Sequence, residues 1–284
     1  MRIAISSEST IDLPKELLEK YDIRIIPFEI LLGDETFTDG EKTNEEVFAF
    51  VDAGGPLPKT TAINDFRYTE YFEGLLKEYD AVIHIGLSSG ISSTVNNATR
   101  VALGMKNVYV LDSMSLTTGI ALLAIYARQL TETIKDPKKI VEMVSARIKS
   151  LQVSFIVERL DYLHKGGRCS SVALLGANLM KIRPSIKLQS DTDGKMVSYK
   201  KYRGKMSACV EKYVIETLAE SSTPDLSMAF ITYSSATDEM INSAYEQLKL
   251  AGFKEIIQTT AGATVSSHCG ANTLGVIYFN DGNN

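Results

Sequence analysis

The sequence predicts an α/β fold in two units, on three observations. Short β-branched runs alternate with segments whose apolar residues recur every three or four positions, as strands and helices layered on a sheet require. Polar, glycine- or hydroxyl-rich turns follow the runs at 2–6, 81–85 and 107–111. The length, 284 residues, is that of about two domains. The pattern restarts near Leu151, which gives a first α/β unit at 1–150 and a second at 151–284.

Taken in order, residues 2–6 read as a first strand, with Ile3 and Ile5 apolar. In the turn from Ser7 to Pro14, Thr10 or Asp12 caps a helix that carries Pro14 in its first turn. Residues 23–32 form a β-branched strand weakened by Pro27. Gly33-Asp34 is a tight turn into a short strand at 35–38. A polar cap at Thr43 opens a helix to Val51, and Gly54-Gly55-Pro56-Leu57-Pro58 breaks the chain. Asn64 or Asp65 caps the next helix, to about Glu78. The strand 81–85 ends at Gly86, a hydroxyl-rich turn runs to Thr94, and Val95, Ala98, Ala102 and Met105 mark one helical face. A strand at 107–111 and helices at 117–133 and 137–149 complete the first unit. The apolar stretch at 116–130 is broken by Thr117, Thr118, Gly119 and Arg128, so it reads as a buried helix and not a membrane span.

In the second unit, strands fall at 152–157, 184–189, 195–200, 226–232, 255–259 and 272–279. Asp191-Thr192-Asp193-Gly194 is a hairpin turn. Helices fall at 159–165, 170–181, 204–219 and 237–250, and 264–271 is a polar loop or short helix. The turns after the first unit's strands can converge at one sheet edge, where open α/β sheets bind ligands.

Composition narrows the function. Hydrophobic content of 44%, charged content of 23% and a net charge of −5 are ordinary for a soluble domain and argue against nucleic acid, which calls for a basic face. The N-terminus turns polar too soon for a signal peptide. Cys169, Cys209 and Cys269 have no CxxC spacing, so neither a zinc site nor a disulfide framework is implied, and a cytoplasmic location fits.

Four stretches carry chemistry. The strand–turn–helix at 81–105 makes an anion site, because the first helical N–H groups lack partners and the macrodipole favours negative charge there. Serine capping explains the same letters. Its Gly86-Leu87-Ser88-Ser89-Gly90 also fits G-x-S-x-G, the nucleophile elbow of hydrolases. Asp161, Asp193 or Asp225 and then His268 supply the order Ser…Asp…His, although the helical face starts late for such an elbow. Thr60 and Thr61 can present hydroxyls to a carboxylate; the plainer reading is an N-cap run before Asp65. In His164-Lys165-Gly166-Gly167-Arg168 an arginine can grip a phosphate, or the basic residues can simply close a helix. His268, in Ser266-Ser267-His268-Cys269-Gly270, can bind an anion when protonated or donate from one ring nitrogen when neutral. His84, inside an apolar strand, reads as a satisfied core residue.

Together these stretches resemble the DegV family along nearly the whole chain. Ser7-Glu8-Ser9-Thr10-Ile11-Asp12-Leu13-Pro14 is similar to the family's T-D-S-T-x-D-L-P. Thr60-Thr61-Ala62 stands for its Thr-Ser motif, and 88–94 for S-S-G-L-S-G-T. Leu111-Asp112-Ser113, the stretch 163–168 and His268-Cys269-Gly270-Ala271 follow in the expected order. The chain departs from the pattern at Thr61 (commonly serine), Ser93 (glycine), Val95 (tyrosine) and Ala271 (proline).

The resemblance implies a two-domain DegV-like fold, each domain a β-sheet flanked by helices, with a ligand site near the domain junction. It implies a protein that binds a long-chain fatty acid in an apolar tunnel and is itself no enzyme. A separate fatty acid kinase subunit carries ATP and metal and phosphorylates the carboxylate to an acyl phosphate. Thr60, Thr61, Ser92, Ser93 and His268 would hold the carboxylate, and Arg168 would serve the kinase encounter or the phosphoryl transfer. No cofactor or metal of the chain's own is expected, and a transient contact with a membrane surface is part of the picture. The energetics agree. At about 0.8 kcal/mol per buried methylene, about fourteen methylenes contribute roughly 11 kcal/mol as an upper bound, so the head site need only orient and select the acid.

Overall fold

The computed structural model describes residues 1–169, 182–188 and 193–282. The expected helix at 170–181 lies outside the described residues, as do positions 191 and 192 of the expected hairpin turn.

The chain opens with β1 (Ile3–Glu8), a 3-10 turn (Ser9–Ile11), α1 (Lys15–Lys20) and β2 (Ile23–Ile26). The expected cap at Thr10 or Asp12 is not formed. Pro14 occupies the N-cap position of α1 without a side-chain bond, and Asp12 takes a left-handed backbone at φ 52°. The expected strand at 23–32 is two strands. Pro27 divides β2 from β3 (Glu29–Leu32), and the two pair in different sheets because proline cannot donate to a ladder.

β4 (Glu35–Thr38) returns through the Gly33-Asp34 turn. α2 (Asn44–Asp52) follows, fixed by a capping box between Thr43 and Glu46. Lys59–Thr61, expected as loop, is a strand, β5, which with β3 and β4 makes a three-stranded antiparallel sheet in the order β4-β3-β5. α3 (Asp65–Leu76) is capped by Asn64, whose side chain accepts the Arg67 N–H. Next come β6 (Ala81–Gly86), α4 (Thr94–Ala102) and β7 (Val108–Asp112). The order β2-β1-β6-β7 is parallel throughout, and every residue of β1 and β6 is buried, as central parallel strands require.

α5 (Thr118–Thr133) is the apolar stretch noted above. Residues from Thr118 to Ile125 are all buried, so the helix has no solvent face over two turns. It packs on β1 and β6 of the parallel sheet, and also on β8 (Leu151–Ile156) and β13 (Leu274–Phe279) of the next sheet. One core therefore runs from Ile5 and Ile83 through Ile120 and Leu123 to Val153 and Ile277. α6 (Pro137–Arg147) packs on α5, β6 and β7 and is begun by an Asp136 cap with Pro137 at the first position.

The later half adds α7 (Leu160–Gly166), β9 (Arg183–Leu188), β10 (Met196–Tyr202), α8 (Met206–Glu220), β11 (Met228–Tyr233), α9 (Asp238–Leu250), β12 (Glu255–Thr260) and α10 (Ala263–Cys269). The six-stranded sheet has the order β10-β9-β8-β13-β11-β12 and is antiparallel except between β11 and β12. Its face away from α5 is covered by α8 and α9 through a second core around Tyr213, Val210 and Leu248. The fold is α/β as the sequence predicts; the small third sheet is the addition.

Candidate functional site

Because β1, β6 and β7 are parallel neighbours, their C-terminal ends meet at one edge. The turns beyond them supply Thr10, Leu87, Ile91, Ser92, Leu116 and Thr117 to one cavity, the convergence the sequence suggested. Its opposite wall comes from the six-stranded sheet, through Val153, Phe155, Thr232 and Ile277, and from Leu163, Val265 and Cys269 of α7 and α10. The cavity is lined mostly by apolar side chains, with a few polar groups among them. That suits a small-molecule site.

The polar groups gather on few elements. α10 places His268 so that its Nε2 lies 2.8 Å from Thr60 Oγ1 of β5, and both residues line the cavity. Strand alternation turns the neighbouring Thr61 the other way. It is exposed and lies outside the cavity, so of the two threonines only Thr60 is brought to the site. Ser92 lines the cavity, and its Oγ accepts the Thr94 N–H at 3.2 Å. Ser93 is exposed, holds the N-cap position of α4 with no side-chain cap, and lies outside the cavity. Its φ of −82° is ordinary, so the Cβ that replaces the family's glycine is accommodated at the surface. Val95 packs over Gly86 in the core rather than lining the cavity.

Arg168 lines the same cavity, half-buried, with Nη1 donating to the Gly166 carbonyl at 2.6 Å. No carboxylate among the described residues pairs with it, and burial lowers its pKa from the ordinary value. The structure thus sets Arg168 beside the candidate carboxylate residues Thr60, Ser92 and His268.

The His268 ring is mostly covered, and its Nδ1 has no solvent contact and no hydrogen-bond partner among the described residues. Burial, with the Arg168 charge added, pushes its pKa down to about 4, so the imidazole is neutral at pH 7 and acts as a hydrogen-bonding group, not as a cation. A consequence is measurable. Between pH 6.5 and about 4 the unfolded chain binds a proton that the folded protein refuses, so His268 makes stability fall as the pH is lowered through that window. The loss is at most about 3 kcal/mol. Urea denaturation of His268→Gln at pH 7 and pH 4 should show a smaller acid loss than the parent; an equal loss in both would remove the assignment.

The hydrolase arrangement is not assembled. Ser88 is fully buried; its Oγ donates to the Gly194 carbonyl at 2.8 Å and accepts the Gly90 N–H at 3.1 Å. It is absent from the cavity lining, and His268 is bound to Thr60 instead. Ser88 therefore ties the turn to the β9–β10 hairpin. Gly90 is needed in that contact, since a Cβ there would sit 2.4 Å from the Asp193 carbonyl oxygen. Asp161 and Asp225 are engaged by Arg159 and Arg147.

Two carboxylates, Asp12 buried and Asp39 half-buried, set the start of α10. Asp12 Oδ1 accepts the Gly262 N–H at 2.8 Å and Asp39 Oδ1 the Thr264 N–H at 3.3 Å. Burial raises the Asp12 carboxyl well above its ordinary range; the Gly262 N–H opposes this and Asp39 adds to it. A second buried network supports the turn that carries Ser92. Glu8 accepts from Tyr68 Oη at 2.6 Å and the Leu87 N–H at 2.9 Å, and its Oε1 lies 3.0 Å from His84 Nε2. His84 also bonds Ser6 Oγ at 3.0 Å, which makes it the satisfied core residue expected. Burial alone would raise the Glu8 pKa, but His84, Tyr68 and Leu87 outweigh it and hold the carboxyl below its ordinary value.

Among the described residues there is no three-residue cluster of metal-ligating side chains, and no helix is long and apolar enough to cross a membrane.

Comparison with known proteins gives one family. A model described as uncharacterised protein, DegV family, matches residues 2–281. A protein of Thermotoga maritima named fatty acid-binding protein is 30% identical over 97% of this chain and 96% of its own length. A crystal structure of DegV, a fatty acid binding protein from Bacillus subtilis, superposes with a TM-score of 0.82 at 26% identity, covering 98% of this chain and 99% of that one. A DegV family protein from Thermus thermophilus, described by its fatty acid binding, shares the fold with a TM-score of 0.90 at 24% identity, covering 99% of this chain and all of that one. With a family model spanning all but its ends and relatives aligned along its full length, this chain belongs to the DegV family.

Proposed function

We propose that the protein binds a long-chain fatty acid in the apolar cavity and presents the carboxylate to a separate kinase subunit, which phosphorylates it to an acyl phosphate. The observation that carries the reading is a cavity with apolar walls where Thr60, Ser92 and His268 gather beside a half-buried guanidinium without a carboxylate partner among the described residues. A carboxylate buried without donors would be costly and would protonate. The Ser92 and Thr60 hydroxyls supply donors, and the neutral His268 ring supports Thr60 by donating its Nε2–H to Thr60 Oγ1, which leaves the Thr60 proton for the ligand. The relatives from Thermotoga maritima and Bacillus subtilis, both named for fatty acid binding, support the ligand class.

In this reading the chain is the non-catalytic partner, works in the cytoplasm, binds no cofactor and touches the membrane surface only in passing. Residues 1–150 and 151–284 are its two units, joined through α5, and the ligand lies at their junction. Arg168, on the cavity lining, serves the phosphoryl transfer or the encounter with the kinase.

Native mass spectrometry of protein purified from a bacterial host should show a co-purified acid of about 16–18 carbons, the length consistent with the methylene count above. A reproducibly empty protein would overturn the reading. With a fatty acid kinase subunit added, Arg168→Ala should lose most acyl phosphate formation while retaining the lipid. If lipid retention collapses in a folded variant, Arg168 is a head-group ligand instead.

A further inference from the structure

Resting on the fatty acid reading, we propose that Thr10 and Thr264 complete the carboxylate site, their hydroxyls donating to the ligand oxygen that Thr60 and Ser92 leave unbound. Neither residue reads as a ligand in the sequence, where one sits in a capping turn and the other in a polar loop.

Both hydroxyls are buried, Thr10 at 1% exposure and Thr264 at 4%, both residues line the cavity, and neither Oγ1 has a hydrogen-bond partner among the described residues. This sets them apart from their neighbours. On α10 itself Ser267 Oγ donates to the Ala263 carbonyl and Ser266 Oγ to the Ala261 carbonyl. Nearby, Ser234 Oγ donates to the Gly270 carbonyl and Thr273 Oγ1 to the Cys269 carbonyl. Each of those hydroxyls is satisfied by the fold, while Thr10 and Thr264 are left for something else. An unpaired buried hydroxyl is costly, and native proteins rarely keep one without a use.

Geometry joins them to the head site. Thr264 and His268 are four residues apart on α10, hence one turn apart on one face. His268 bonds Thr60, and α10 packs on the 3-10 turn that carries Thr10. Among the described residues, His268 Nδ1 is a third buried polar atom without a partner in this cavity lining. A carboxylate has two oxygens and accepts several hydrogen bonds. Two threonine hydroxyls on adjoining elements are the complement its second oxygen needs.

The test uses replacements that keep shape and remove the hydroxyl. In delipidated protein, Thr10→Val and Thr264→Val should raise Tm by about a degree or more, because each removes an unsatisfied polar group. The same variants should weaken binding of a 16-carbon acid, measured calorimetrically, about tenfold each. Thr10→Ser and Thr264→Ser keep the hydroxyl and should restore the affinity. Gain in stability with loss of affinity is a combination that a structural hydroxyl does not give. A fall in Tm or a failure to fold in the valine variants would mean that the fold uses these hydroxyls, and would overturn the proposal. The two possible failures separate cleanly. Wild-type protein that takes up no acid overturns the functional reading itself, whereas wild-type binding that the valine variants leave unchanged overturns only the assignment of these two threonines.

Discussion

Thr60→Val should weaken binding of a long-chain acid by about 1.5–3 kcal/mol, the usual worth of a hydrogen bond to a charged group. In affinity this is roughly ten- to hundredfold. The side chain keeps its volume, so the loss isolates the hydroxyl. Two bonds are at stake, one to the carboxylate and one to His268 Nε2, seen here at 2.8 Å. Ser92→Ala should lose a similar amount, since Ser92 lines the same cavity. Thr61→Val is the control. It changes an exposed side chain on the other face of β5, and affinity should stay within about twofold, below the 1.4 kcal/mol of a tenfold change. Titration calorimetry on delipidated protein decides the matter. Equal losses at Thr60 and Thr61, or none at Thr60 and Ser92, would remove the carboxylate from this end of the cavity.

Glu8→Ala should destabilise the protein by about 3–5 kcal/mol, the range for breaking a buried pair by removing one partner. The carboxylate is fully buried and meets three groups, the Tyr68 hydroxyl, the Leu87 N–H and the His84 ring. Alanine would strand the Leu87 N–H and His84 Nε2 away from water and leave Tyr68 Oη with Thr94 alone. Glu8→Gln keeps an acceptor and should cost less. The effect should reach the site as well, because Leu87 opens the turn that ends at Ser92, and Tyr68 Oη also meets Thr94 Oγ1 at 3.1 Å, at the start of α4. The urea midpoint, read with an unchanged m-value, measures the loss. A shift worth less than 1 kcal/mol would show that the network is not what holds this turn.

Much of the fold was legible from local rules. The capping letters at Thr43 and Asn64 start helices where the sequence places them, because a cap is a bond between residues two or three apart. The apolar stretch that became α5 was read as buried, but not that two sheets would close on it. Pro27 was seen as a weakness in one strand; that it divides two sheets depends on partners, β1 for one and β4 and β5 for the other, that lie elsewhere in the chain.

For the site, the sequence by itself determined the set of chemical types: a hydroxyl turn before a helix, a threonine pair, a histidine in a polar segment, an arginine after two glycines. Those types, in that order, pointed to the family. Only the tertiary structure decided which members of each set line the cavity. Strand alternation selected Thr60 over Thr61, and the start of α4 left Ser93 at the surface while Ser92 stayed on the cavity. Packing made His268 neutral, through burial and the Arg168 charge, where the sequence left its protonation open. It also closed Ser88 into a bond with the Gly194 carbonyl, 106 residues away, and left the Thr10 and Thr264 hydroxyls without one among the described residues. Which hydroxyls a fold satisfies and which it leaves for a ligand is settled by neighbours distant in the chain, and no local pattern carries that information.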